Sequence, residues 1–440
     1  MNLYKKFAAA VLAIVIVVTM AACGAVPITL NHEWSFKNGD DSLSIGVYSY
    51  CLYSAYNTAR GYAEKEEGYS TIKSFLDIKI ASDDTAEKIP ARDWIKKEAA
   101  LQCKTILAVR AELKKRGLTA SPDEVENARN LVKEDWEMGP NYSYYSQMVN
   151  QGYMDASSMP APLKLVLEPY GISQDSYFDA YYQANMDYTL LFDNTYEKDG
   201  SDPVTDEELR SYFEQNYTDY GYFKVSLSEG QEVPSTEPAT EPATAGIIDD
   251  PTTTVASTEP TTTAPPQTTM VEMSKTKKEE ILKKLNSYAT ALNIGKDTKE
   301  EFDNIVKKYM EAEDITEDPS LKSVEDITDS SNLPEEVKTA LEGLEQGKAT
   351  VVTAGEGVSS SYYFVYKGKI SNNTNEYLTT ADKRTELIRA IKTDEFSNLV
   401  RKMAENFECD ENTGVVDAYK PEMFENYDPD ATEAPTTVAD

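Results

Sequence analysis

Residues 91–125 read ARDWIKKEAALQCKTILAVRAELKKRGLTASPDEV, and this stretch decides the fold class. Ile95, Ala99, Cys103, Ile106, Val109 and Leu113 recur at three- and four-residue intervals, which places them on one face of a helix running from about Ala91 to Arg116. Gly117 stops that helix. Ser121-Pro122-Asp123-Glu124 then supplies an N-cap, a proline at the first helical position and a carboxylate at the third. A second helix follows with Val125, Ala128 and Val132 inward. Two long, well-punctuated helices in succession predict a helical domain.

The pattern continues outward in both directions. Upstream, Tyr48, Leu52 and Tyr56 repeat every fourth residue from Leu43 on, with Cys51 and Ala55 beside them. Downstream, Gly171-Ile172-Ser173 opens a helix that reaches about Tyr196 and carries Tyr177, Phe178, Tyr181, Tyr182, Met186, Leu190 and Leu191. Thr205-Asp206-Glu207-Glu208 starts a short helix through Phe213. Tyr220–Leu227 alternates as a strand does, with Phe223, Val225 and Leu227 on one side. Val233–Thr269 then breaks the pattern: it holds 12 Thr and 7 Pro, no aromatic residue and no Lys or Arg, and such a segment cannot bury a core. Beyond it come helices at Ser274–Leu292, Thr298–Met310 and Pro334–Leu344, strands at Ala349–Thr353 and Ser361–Tyr366, and a long amphipathic helix at Ala381–Phe407.

The N-terminus reads as an export signal. Lys5 and Lys6 precede the apolar run Phe7–Met20, and Ala21-Ala22-Cys23-Gly24 offers a small-residue cleavage site. The run falls short of the roughly 20 residues that a spanning helix needs. Cys23 after two alanines resembles a lipobox, so the expectation is a lipoprotein anchored through Cys23 to the outer face of a bacterial cytoplasmic membrane. Each buried lipid CH₂ contributes about 0.8 kcal/mol, and two or three chains make a firm anchor.

Composition excludes several classes of function. Asp and Glu outnumber Lys and Arg by 76 to 43, a net charge of -33, which repels nucleic acid and anionic lipid heads. The only histidine is His32, so imidazole-based catalysis would have to lie in the expected tether. No Cys/His spacing fits zinc and no phosphate-binding glycine motif occurs, so no metal and no nucleotide or other cofactor is expected. Cys103 reads as a buried thiol, and the sequence leaves the pairing of Cys51, Cys103 and Cys409 open.

The order of parts resembles the SurA/PrsA family of extracytoplasmic foldases. The resemblance lies in Leu43–Ala59, in Trp94–Trp136 with its Lys115–Thr119 turn, and in Val204–Tyr220 with its Val-Thr-Asp-Glu-Glu-Leu start. It continues in Leu333–Val337 with Gly343–Ala349, and in Ser361–Lys367. In that family a helical chaperone domain precedes a parvulin-type prolyl isomerase domain, and a C-terminal helix returns to the first domain. The fold class implied is mostly α with a small α+β domain. The expected layout is a signal peptide at 1–22, a tether at 23–42 and a helical chaperone domain at 43–219. A parvulin-like domain at 220–370 follows, interrupted by a disordered insertion at 229–272, then the returning C-terminal helix at 371–425 and a disordered tail at 426–440.

Parvulins carry a histidine in the first strand and another in the last. The first strand here reads Tyr222-Phe223-Lys224-Val225 and the last Tyr362-Tyr363-Phe364-Val365, so Lys224 and Tyr363 stand where the resemblance implies histidines. The expectation is a degenerate isomerase with weak or no activity and no catalytic residue to assign. A chaperone instead needs adaptable apolar surface, which Tyr and Met supply. Tyr142–Met148 is one such cluster. Tyr177, Phe178, Tyr181, Tyr182 and Met186 form a second, too wide for a single buried seam, and they are the candidate client-binding residues; the same stripe would fill a core if covered. The reading is a membrane-anchored chaperone for newly exported unfolded polypeptides, with homodimerisation left open. Its rivals are an isomerase with an atypical site and a solute-binding lipoprotein, which would show repeated βαβ units.

Overall fold

The computed structural model describes residues 33–425 apart from 67–68, 70–73, 82–86, 234–266, 296–297 and 329–332. The leader, Cys23, His32, the middle of the Thr/Pro insertion and the tail 426–440 lie outside the described residues. The chain divides into two compact units. One joins the residues up to Thr205 with those from Thr385 on, and the other is Asp206–Arg384.

The first unit is built around α1 (Ile45–Ala63), whose N-cap Ser44 accepts a hydrogen bond from the Val47 amide at 3.3 Å. Every residue from Ile45 to Tyr56 is buried. The helix carries no charge before Arg60, as a helix enclosed on all sides requires. Against it lies α2 (Ala91–Arg116), ended by Gly117 at φ 70°. The predicted capping box of α3 (Pro122–Met138) is present in both halves, Glu124 N–H to Ser121 Oγ at 3.2 Å and Ser121 N–H to Glu124 Oε2 at 3.0 Å. Short helices α4 (Tyr142–Asn150) and α5 (Leu163–Leu167) follow, then α6 (Gln174–Tyr177). A π-helical stretch, Phe178–Gln183, joins α6 to α7 (Ala184–Tyr196).

The C-terminal helix, Ala381–Glu405, returns to this unit. Its Phe396 is fully buried, with the rings of Tyr188, Phe192 and Tyr196 at 4.7, 5.2 and 5.9 Å. Tyr196 Oη donates to Glu395 at 3.0 Å, and Arg401 reaches Glu98 of α2 at 3.9 Å. Beyond the helix, Val416, Tyr419 and Phe424 enter the same core, where Phe424 meets Tyr53, Tyr56 and Tyr170.

Two expected boundaries need correction. Residues 34–42 are not free tether: Trp34–Asn38 (β1) and Asp41–Ser44 (β2) pair across Gly39-Asp40, and β1 also pairs with the short strand Asp410–Glu411. Phe36 and Leu43 are fully buried, so the hairpin is held by two apolar side chains in the helical core. Likewise the edges of the 229–272 insertion are ordered. Ser228–Val233 and Gln267–Glu272 form a two-stranded antiparallel ribbon, because backbone pairing satisfies the N–H and C=O groups of a segment with no apolar core.

The second unit opens with α8 (Asp206–Asn216) and holds a four-stranded sheet with two helices on one face and one on the other. Its strands are Thr218–Ser226, Ser320–Glu325, Lys348–Ala354 and Ser361–Lys367, called the first, second, third and last in chain order; across the sheet they run second, first, last, third. The second strand lacks a continuous apolar alternation and was missed in the sequence. Helices α9 (Lys275–Ile294) and α10 (Thr298–Glu313) bring Leu285, Leu292, Phe302, Ile305 and Tyr309 onto Phe223 and Phe364. The short helix α11 (Glu335–Gly343) covers part of the other face with Val337 and Leu341. Every strand pair described is antiparallel, so the parallel βαβ units of a solute-binding lobe are not found among the described residues. Nor is any helix among them long and apolar enough to cross a membrane.

Phe396→Ala removes a fully enclosed ring. We expect it to lower the stability of the first unit by about 3–5 kcal/mol, read from the shift of its urea midpoint at constant slope.

Candidate functional site

The sheet of the second unit brings Lys224 and Tyr363 together: they are direct cross-strand partners on the first and last strands, so their side chains leave the same face. Tyr220, Tyr222 and Val365 share that face, as alternation along the strands dictates. Here Tyr222 packs its ring 5.6 Å from Tyr363, while Lys224 is exposed and Leu321 is 45% exposed beside them. Tyr220 Oη donates to Glu325. Burial is the main force that raises the Tyr220 and Tyr222 hydroxyls above their usual range, and nearby carboxylate adds to it. Both therefore remain neutral hydrogen-bond donors at physiological pH. No histidine lies on this face, which offers aromatic and aliphatic surface with a single cation at its edge. Such a surface can hold an apolar side chain, and it lacks a group suited to proton exchange near neutrality.

In the helical unit the structure divides the predicted client residues. Tyr177 and Phe178 are 7% and 4% exposed and belong to the core, which takes them off any client-facing surface. Tyr177 sits among Tyr50, Trp136, Tyr181 and Tyr182, at ring separations of 5.4 to 6.3 Å. The cause is the π-helical stretch. Its wider turn spreads consecutive aromatic residues around the axis, so the stripe that looked too wide for one seam is enclosed by several partners. Tyr181, Tyr182 and Met186 are half-buried at the margin of that core.

Polar groups fix this helix in place. Arg110 pairs with Asp179, and with Asp187 at 3.3 Å; Asp187 also accepts from Gln183 at 2.8 Å. Tyr182 Oη donates to Asp135 at 2.9 Å. Burial raises the Asp135 carboxyl above its ordinary value, against the hydrogen bonds from Tyr182 and the Asn141 amide.

The other predicted cluster behaves differently. From Pro140 to Leu163 no residue is buried, and Asp155 is the single charged residue. This stretch carries Tyr142, Tyr144, Tyr145, Tyr153, Met148, Met154 and Met159. Tyr144 is 60% exposed and Tyr153 72%, with Met138 and Leu165 flanking them at 43% and 48%. The segment is nonetheless held in shape. Gly139, at φ 99°, lets the chain turn where any Cβ would strike the Pro160 carbonyl oxygen, and Ser143 Oγ donates to Glu134 at 3.0 Å. The missing charge was the signal: in a chain where 27% of residues are charged, a run this long with one charge marks a surface meant to be dry.

A cleft of about 340 Å³ opens elsewhere in the second unit, lined in part by Lys322, Lys383 and Tyr377. Lys322 pairs with Asp303 and Lys383 with Glu376, so these cations are already neutralised.

No protein-family model matches the sequence, and no curated protein does. Among solved structures, the chain is similar to the foldase protein PrsA from Streptococcus pneumoniae, at 14% identity and a TM-score of 0.28 over 78% of this chain and 99% of that one. PrsA from Lactococcus lactis gives 12% identity and a TM-score of 0.31 over 88% and 99%. PrsA from Bacillus subtilis gives 14% and 0.25 over 78% and 98%. At these scores the likeness carries no functional weight of its own.

The sign of the Asp135 shift gives a test. A carboxyl whose folded value lies above its unfolded one stabilises the fold when protonated, and that contribution is lost as pH rises through the folded value. Asp135→Asn should therefore raise the thermal midpoint at pH 7. The gain should vanish below the ordinary carboxylate range, as read by scanning calorimetry across pH.

Proposed function

We propose that this chain is a lipid-anchored extracytoplasmic chaperone that holds newly exported, unfolded polypeptide. The observation that carries the reading is Pro140–Leu163: a shaped, nearly uncharged Tyr- and Met-rich surface with no buried residue. Helix α4 buries none of its side chains, so its apolar area is left for a partner. Tyr offers a large flat area with few rotors, and Met offers a polarisable chain that adapts to many shapes, which together suit a binder of varied sequences. Burial of apolar surface at roughly 25 cal/mol per Å² drives capture, with no nucleotide and no cofactor in the scheme. Tyr181, Tyr182 and Met186 extend the client surface at the margin of the core.

Charge directs the choice of client. Glu134, Glu137 and Glu168 flank the dry surface, and the whole chain is at -33, so segments that are apolar and neutral or basic are favoured. A second copy of this acidic chain is disfavoured on the same ground. The α/β unit serves as an accessory surface with its isomerase chemistry silenced at Lys224 and Tyr363. The reading follows the resemblance to SurA/PrsA foldases and the lipobox-like Cys23.

Replacing Tyr144, Tyr145 and Met148 together by Ser should reduce suppression of aggregation of a reduced, unfolded client severalfold while leaving the thermal midpoint unchanged. Unchanged suppression removes this surface from the mechanism; the same substitutions at Tyr181, Tyr182 and Met186 measure the second one. In a proline-peptide assay the protein should leave the uncatalysed rate unaltered. An acceleration abolished by Tyr363→Phe would instead establish an isomerase with an atypical site.

A further inference from the structure

The helices at the centre of the first unit carry two cysteines that neither the chaperone surface nor the sheet uses. Cys51 of α1 is 2% exposed and Cys103 of α2 is 0% exposed, and both belong to one core. Their thiols lie within hydrogen-bonding reach of each other. The register of the two helices accounts for this. Tyr62 meets Trp94 ring to ring at 5.6 Å, and Cys51 meets Cys103, so as one helix is followed toward its start the other is followed toward its end. The helices are therefore antiparallel, and four-residue steps from the cysteines put Ala55 and Ala59 of α1 on the same seam as Ala99 of α2. All three alanines are fully buried. A seam of Ala and Cys brings two helices unusually near, which is what a disulfide needs, since its Cα atoms must come within about 4.4–6.8 Å.

We propose that Cys51 and Cys103 form a structural disulfide in the exported protein, clamping α1 to α2 across the middle of the helical core, while Cys409 stays a free thiol. The proposal rests on the export reading, because cysteines pair in oxidising compartments and remain reduced in the cytosol. The oxidant is an external disulfide, either a protein disulfide oxidoreductase or a small-molecule disulfide. One cysteine thiolate attacks a sulfur of that disulfide and expels the other as a thiolate. The second cysteine thiolate then attacks the mixed disulfide, forms the Cys51–Cys103 bond and expels the remaining external sulfur. Two electrons pass to the oxidant, which leaves as two thiols carrying the two protons. The exchange belongs to the time before the core closes. Once folded, burial holds the Cys103 thiol well above its ordinary value, and a protonated, enclosed thiol neither attacks nor is reached. Cys409, half-buried beside the short strand at Asp410, is the natural competitor, and it sits on a segment that arrives last.

The full chain is expressed in a bacterium that exports it, free thiols are blocked with an alkylating maleimide at lysis and again after denaturation, and peptides are mapped without reduction. We expect one cross-linked peptide pair joining Cys51 to Cys103, two hydrogens lighter than the separate peptides and unalkylated, with alkylated Cys409. Alkylated Cys51 and Cys103, or a link from either to Cys409, overturns the proposal. The N-terminal peptide of the same digest reads export independently. If it still begins at Met1, the thiol measurement is made on protein refolded with glutathione disulfide, with the same two outcomes. Dithiothreitol should lower the thermal midpoint of the oxidised protein by several degrees, and equally in Cys409→Ser; a midpoint that ignores reduction also overturns the clamp.

Discussion

The burial of Phe396 against Tyr188, Phe192 and Tyr196 is the contact on which the rest of the molecule depends. It fastens a helix that begins at Ala381 onto one that ends at Tyr196, so a single core is assembled from two chain segments with a whole α/β unit between them. The last residues repeat the device. Asp410–Glu411 completes the sheet begun by Trp34–Asn38, and Phe424 fills a socket of Tyr53, Tyr56 and Tyr170. Aromatic rings do this work because each covers a large area at little rotamer cost, and edge-on contacts between them add to simple burial. The abundance of Tyr in this chain is therefore first a matter of architecture.

That architecture was largely legible wherever local chemistry writes itself into short motifs. Ser121-Pro122-Asp123-Glu124 and Gly117 fix helix ends through hydrogen bonds and backbone angles set by neighbours a few residues away, and the structure carries both. The strands around Phe223 and Phe364 followed from alternation, and they are the inner pair of the sheet. The misses have a common cause. Trp34–Ser44 and the edge strand Ser320–Glu325 are polar on average, and their structure depends on partners more than 90 residues away, at Asp410–Glu411 and at Thr218–Phe223 respectively. A hairpin held by Phe36 and Leu43 alone offers little periodicity to read.

The functional surfaces show the same division. Lys224 and Tyr363 were located by strand position and do face each other across the sheet, because register is a backbone property. The Tyr177 cluster could not be resolved from spacing alone. A stripe of rings looks the same whether solvent or protein lies opposite, and the π-helical stretch that encloses it has no counterpart in a four-residue count. Pro140–Leu163 was the more informative segment, through what it lacks. Charged residues are cheap on a solvated face, so their near-absence from an unburied segment needs a reason, and a partner supplies one.

A core made from both ends of a chain also imposes an order of events. Synthesis delivers α1 and α2 early, yet the side chains that seal them arrive only after Arg384 has been made. The intervening α/β unit draws all its strands and helices from one continuous stretch, so it can finish first while its host waits. Contacts that close so long a loop are slow to form. Through that interval the half-built helical body displays the very apolar faces that define a client, which makes each new copy a candidate passenger for the mature copies beside it.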